Sequence, residues 1–174
     1  MQIELEDLII YPLNSEELSL WLNNDIASLE KRLKCTYSAF PVDDLLEDYA
    51  YTQFILGLSE PQENWLWFTY WFILRKSDRK VIGILCFKGK PSLNGEVEVG
   101  YALGKEFEHK GYMTKALTAL IKYVKNLPNI KHIIAETKKD NFPSQNLLKR
   151  CGFEQYKQTD FSLWFRANLI RNDE

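Results

Sequence analysis

The chain has 174 residues, with 22 Lys and Arg against 24 Asp and Glu, and 45% of it is hydrophobic. That length fits one compact domain that buries its own core, and the near-balance of charge gives no ground for a nucleic-acid or anionic-membrane partner. Cys35, Cys86 and Cys151 are odd in number and widely spaced, with only His109 and His132 beside them. Neither a disulfide framework nor a zinc site is therefore expected, and the thiols read as those of a cytoplasmic protein.

Residues 1–7 are acidic and show no charged-then-apolar leader, so export is not expected. Residues 3–11 have strand character, and Asn14-Ser15-Glu16-Glu17 opens a helix through Leu22. A second helix is predicted over 26–33. Pro41-Val42-Asp43-Asp44 starts a third, whose Leu45, Leu46, Tyr49, Phe54, Ile55 and Leu58 share one face. Asp43, Asp44, Glu47 and Asp48 on it are either a solvated helix face or an attraction for a cationic amine. The most apolar stretch, 65–74, is too short to cross a bilayer as a helix, and its aromatic and β-branched content suits a strand.

Strands are predicted over 65–75, 80–87 and 96–103, and their short polar connections favour an antiparallel meander. Met113, Ala116, Leu117, Leu120, Ile121 and Val124 form a helical stripe that stops at Leu127-Pro128. A strand over 130–137, a helix over 143–150 and a pair of strands around Thr159-Asp160 complete a mixed α/β sheet flanked by helices.

The junction between the strand at 96–103 and the helix after it carries the strongest functional signal. Residues 105–110 are basic in part, and His109, Lys110, Gly111, Tyr112, Met113 and Thr114 place unpaired backbone N–H groups at a helix N-terminus, where a phosphorylated ligand can sit. Gly111 permits close approach, Lys110 adds charge and Thr114 a hydroxyl. A glycine turn that merely caps a surface helix has the same appearance. Neither a Walker Lys-Ser/Thr nor a Gly-x-Gly-x-x-Gly is present, which argues against a nucleoside triphosphate or a dinucleotide.

The Gly100-Tyr101 pair, the Lys110-Gly111-Tyr112 turn, Asn141-Phe142-Pro143-Ser144 and the terminal Gly152-Phe153 together resemble the acetyl-CoA-dependent N-acetyltransferases of the GNAT superfamily. They are most similar to the branch with the ribosomal-protein N-terminal acetyltransferases, and the resemblance covers residues 81–165. It implies a mixed seven-stranded sheet with a splayed central pair, the strands at 96–103 and 130–137. It also implies acetyl-CoA as cosubstrate, with its pyrophosphate at His109 to Thr114 and its thioester arm along the backbone of Val99, Gly100 and Tyr101, in a strand bulged near Gly100. The acceptor would be a small-molecule or peptide amine, and a homodimer is common in the family.

The family turn reads Gln or Arg, two residues, Gly, one residue, Gly or Ala; here Glu108 and Met113 depart from it. A tyrosine that protonates sulfur in many relatives is Leu148 here. Asn141 and Ser144 match the Asn-x-x-Ser branch, which makes Ser144 the candidate proton donor, with a first-turn helix hydroxyl as its alternative role. Glu98 is the candidate base, beside Asp160, Glu136 or a water chain, and a solvated strand carboxylate is its other reading. The departures also leave open a non-catalytic module that binds coenzyme A or a protein partner.

Overall fold

The computed structural model describes residues 1–40 and 44–169, with side chains for all of these except 44–47. Asp43, Asp44 and Glu47 thus lie outside what is described of the acidic group, whereas Asp48 is exposed. The chain opens with β1 (Ile3–Glu4) and β2 (Leu8–Pro12), which pair antiparallel with Ile3 opposite Ile10. The predicted first strand is therefore a hairpin.

Helix α1 (Ser15–Leu22) starts where the sequence places it, because Asn14 and Glu17 form a capping box. The Asn14 side chain accepts from the Glu17 N–H at 2.9 Å, and the Glu17 carboxylate accepts from the Asn14 N–H at 2.9 Å. Then come α2 (Ile26–Leu33), β3 (Thr36–Tyr37) and α3 (Asp44–Leu58). The strand expected over 65–75 is shorter. A 3-10 helix occupies Gln62–Trp67, and β4 is Tyr70–Arg75. The Trp65 indole donates to the Leu13 carbonyl at 2.8 Å and the Thr69 hydroxyl to the same oxygen at 2.7 Å, so tertiary contacts bend an apolar run that periodicity alone reads as extended.

Strands β5 (Lys80–Phe87) and β6 (Glu96–Leu103) follow, then α4 (Tyr112–Lys125), β7 (His132–Lys138), α5 (Phe142–Arg150), β8 (Glu154–Gln158) and β9 (Ser162–Asn168). Among the described residues the nine strands join one sheet in the order β1-β2-β4-β5-β6-β7-β9-β8, with β3 parallel to β5. The sheet is thus larger than the seven strands expected, chiefly through the two-residue strands β1 and β3. The β4-β5-β6 meander is antiparallel, as its short connections require.

Pleating divides the core. Val97, Val99, Ile133 and Phe165 pack with Leu117 and Leu120 of α4 and Leu148 of α5 on one face. Tyr70, Phe72, Ile84 and Cys86 pack with Leu18 and Trp21 of α1 and Leu29 of α2 on the other. Most of the aromatic weight is core: Trp21, Tyr70, Trp71 and Phe72 are fully buried, although Tyr51 on α3 is exposed.

The feature that positions the site is where β6 leaves β7. Their parallel pairing covers Glu96 with His132, Val97 with Ile133 and Glu98 with Ile134, and then stops. Against β5 the pairing of β6 continues without a register shift from Val99 to Leu103, so the expected bulge near Gly100 is absent. Gly100 instead relieves packing, since a Cβ there would lie 3.0 Å from the Cys86 sulfur. The Lys88 N–H bonds to the Glu98 carbonyl and the Gly104 N–H to the Ile82 carbonyl, which turns the even-numbered backbone groups of β6 toward β5. By alternation the N–H and C=O of Val99, Tyr101 and Leu103 face the gap that β7 leaves.

Candidate active site

A cleft of about 580 Å³ opens where β6 runs into α4, on the α4 and α5 face of the sheet. Tyr101, Ala102 and Leu103 form its floor, His109, Gly111, Tyr112, Met113 and Thr114 one end, and Asn141 and Ser144 the opposite wall. Gly111 is the N-cap of α4 at φ 78°, and no side chain caps the helix. The ladder begins with the Lys115 N–H donating to the Gly111 carbonyl at 3.1 Å. Helix geometry therefore leaves the N–H groups of Tyr112, Met113 and Thr114 ahead of it, at the positive end of the macrodipole. A Cβ at Gly111 would meet no protein atom within 4 Å, so the open space beside these amides is kept free by the missing side chain. His109 shares the left-handed conformation, at φ 58°. These donors and this space fit a pyrophosphate.

Two charges in the turn differ from expectation. Lys110 does not line the cleft: its ammonium donates to the Glu106 carbonyl at 2.8 Å and lies 5.9 Å from the Phe107 ring. Glu108 does line it, with the His109 imidazole 4.0 Å from its carboxylate. The cation on the cleft wall is Arg150, in the last turn of α5. Sequence reasoning passed over it because Lys and Arg are common helix-ending residues, and only the α5 orientation brings this one to the cleft.

At the inner end of the cleft the Tyr101 hydroxyl and the Ser144 hydroxyl are 2.6 Å apart. Burial pushes the Tyr101 phenol up to about 12, although its bond to Ser144 acts the other way. Tyr101, read from sequence as wall, is thus one half of a hydroxyl pair in the position expected of Ser144 alone. Asn141 is the N-cap of α5, its carbonyl oxygen accepting from the Ser144 N–H at 3.2 Å. Replacing Asn141 by Ala should cost ~1 kcal/mol of stability and displace Ser144, whereas Asp should preserve the cap. Thermal melts and turnover of both variants check this. An Ala variant as stable and active as the parent would contradict it.

Glu98 points to the other face of the sheet, as strand alternation requires, and forms an ion pair with Lys88, the residue after β5. A second chamber of about 270 Å³ lies there, lined by Tyr49, Tyr70, Lys88, Gly100 and Glu136 among others. Val99 also lines it, though its side chain is buried in the core of the opposite face. Tyr101 and Ala102, beyond the point where β6 parts from β7, line both cavities. Asp160 sits exposed at the β8 to β9 turn and lines neither. Cys151 is half-buried between the Thr118 hydroxyl and the Thr114 carbonyl, a packing role. Among the described residues no group of His, Cys, Asp and Glu could hold a metal ion, and no helix is long and apolar enough to cross a membrane.

Known proteins resemble this chain in sequence and in fold. Over 130 residues the chain is 29% identical to an uncharacterised N-acetyltransferase, YjdG, of Bacillus subtilis, covering 74% of this chain and 76% of that protein. It is 32% identical to the ribosomal protein uS5 alanine N-acetyltransferase of Escherichia coli over 89 residues, 49% of this chain but only 45% of that enzyme. Among solved structures, the ribosomal-protein-S5-alanine acetyltransferase of Vibrio fischeri superposes with a TM-score of 0.70 at 18% identity, covering 99% of this chain and 98% of that one. RimL, a ribosomal L7/L12 acetyltransferase solved with coenzyme A, superposes at 0.65 with 14% identity, over 97% and 98% of the two chains. The model of the acetyltransferase (GNAT) domain matches residues 7–154, and the chain therefore belongs to the GNAT family as an acetyl-CoA-dependent N-acetyltransferase.

Proposed function

We propose that the chain, acting as one acetyltransferase domain, moves the acetyl group to a primary amine by direct attack in a ternary complex. The α-amine of a peptide or small molecule is the acceptor class. The observation that carries this reading is that two cavities, on opposite faces of the sheet, share Tyr101 and Ala102 in their walls. One cavity has the amide-lined helix start suited to a pyrophosphate, and the other is a small chamber with carboxylates nearby. Donor and acceptor would so reach the same gap without crossing each other's path.

Bound acetyl-CoA supplies a thioester whose acyl carbon forms a C–N bond with the amine as the C–S bond breaks. The amides of Tyr112, Met113 and Thr114 hold the pyrophosphate, and Arg150 offers a further cation on the cleft wall. Backbone groups of Val99, Tyr101 and Leu103 face the arm along the splayed edge. Glu98, directly or through water, takes the proton that the incoming ammonium must lose, a light task for an α-amine whose free pKa is about 8. Ser144, backed by Tyr101, holds the proton that the departing sulfur needs.

Initial rates of coenzyme A release, with acetyl-CoA and a panel of amines varied together, test this. Intersecting double-reciprocal lines with no acetylated protein are expected. Parallel lines with an acetyl-enzyme in the mass spectrum would overturn the ternary-complex reading.

A further inference from the structure

One face of α5 brings three different side chains to the cofactor cleft. Ser144, Leu147 and Arg150 follow one another along it at every third residue, a hydroxyl, an apolar chain and a guanidinium. At a rise of about 1.5 Å per residue, Arg150 stands ~9 Å along the helix from Ser144, away from the inner end where Ser144 meets the Tyr101 hydroxyl. Its side chain is exposed, which places it at the mouth of the cleft. Arg150 makes no hydrogen bond or ion pair with a described residue, although Glu108 and His109 also line the cleft. A guanidinium with its donors unused therefore faces whatever occupies the mouth.

The size of the cleft decides which anion of the cosubstrate comes there. At ~30 Å³ per water, a cleft of about 580 Å³ has room for about twenty heavy atoms. That is the size of the acetylated pantetheine arm alone, so the nucleotide of acetyl-CoA extends to the mouth and past it. Its pyrophosphate has the amides of Tyr112, Met113 and Thr114 at the start of α4. The 3′-phosphate has no such donors. Near pH 7 it carries almost two negative charges, and at this mouth it would face the last turn of α5, the negative end of that helix. Arg150 reverses the repulsion, and its planar fork of N–H donors matches two phosphate oxygens. Lys149 shares the last turn but does not line the cleft.

Building on the acetyl-CoA reading above, we propose that Arg150 receives the 3′-phosphate of the cosubstrate and makes the chain select coenzyme A thioesters over their 3′-dephospho forms.

The test is calorimetric titration of acetyl-CoA and of acetyl-3′-dephospho-CoA into the parent chain and into Arg150→Gln, Arg150→Lys and Lys149→Gln. The parent should bind acetyl-CoA tighter by about tenfold or more, the scale of one charge-assisted hydrogen bond. Arg150→Gln should weaken acetyl-CoA by that factor and leave the dephospho form unchanged, so that the two bind alike. Arg150→Lys should keep a reduced preference, because the charge remains while the fork is lost. Lys149→Gln should keep the full preference of the parent. Both ligands are compared within each protein, so a loss of folded chain cannot imitate a loss of preference.

Equal affinity of the parent for the two ligands overturns the inference. An Arg150→Gln variant that weakens both alike overturns it too, by putting the guanidinium on the pyrophosphate, as does a preference lost in Lys149→Gln instead. Binding of neither ligand by the parent is a different result, which removes the acetyl-CoA reading and this inference with it.

Discussion

Gly111→Glu should weaken acetyl-CoA binding by about 100-fold or more while the protein stays folded. Gly111 sits at φ 78° and lines the cleft beside the first amides of α4, with nothing within 4 Å of a built Cβ. A glutamate side chain would enter the space that the phosphates need. At about 4 Å and an effective dielectric of about 20, two like charges oppose each other by ~4 kcal/mol, more than enough for the stated loss. The left-handed conformation adds a smaller penalty of ~1–2 kcal/mol to stability, a fall of a few degrees in melting temperature for a chain of this size. Gly111→Asn separates the two effects, because asparagine tolerates that conformation and brings no charge. Calorimetry with acetyl-CoA should find Asn close to the parent and Glu far weaker. A folded Glu variant with unchanged affinity would move the phosphate site elsewhere.

Ser144→Ala should lower kcat by a factor of ~100 or more and leave acetyl-CoA affinity nearly intact, the signature of a donor used as charge develops on sulfur. The 2.6 Å contact with the Tyr101 hydroxyl makes the pair the unit to test. Tyr101→Phe should cost activity too, and the double variant should lose little beyond the larger single loss, because the two hydroxyls act through one another. The direction of the Tyr101 shift also has a consequence. With its pKa pushed up to about 12, the phenol keeps its proton below that pH, so an alkaline fall in rate before then belongs to another group. Normal turnover of Ser144→Ala with a lowered melting temperature would reduce Ser144 to a helix-end hydroxyl.

The amino-acid sequence by itself determined the local elements and the glycine turn at the start of α4. Asn14 with Glu17, the apolar stripe from Met113 to Val124, and Gly111 each act within a turn or two of chain, where capping, periodicity and allowed φ decide the outcome. Motif spacing likewise placed Asn141 and Ser144 on the cleft. What only the tertiary structure decided depends on groups far apart in the chain. Trp65 and Thr69 bond to the Leu13 carbonyl and shorten β4, and Lys110 turns to the Glu106 carbonyl while Arg150 arrives from α5. Tyr101 meets Ser144 because β6 and β7 part after Glu98 and Ile134, and Lys88 meets Glu98 because β5 and β6 share an unbroken register. Side-chain type and periodicity carry no information on those meetings, since each is fixed by strand pairing and helix placement across the whole sheet.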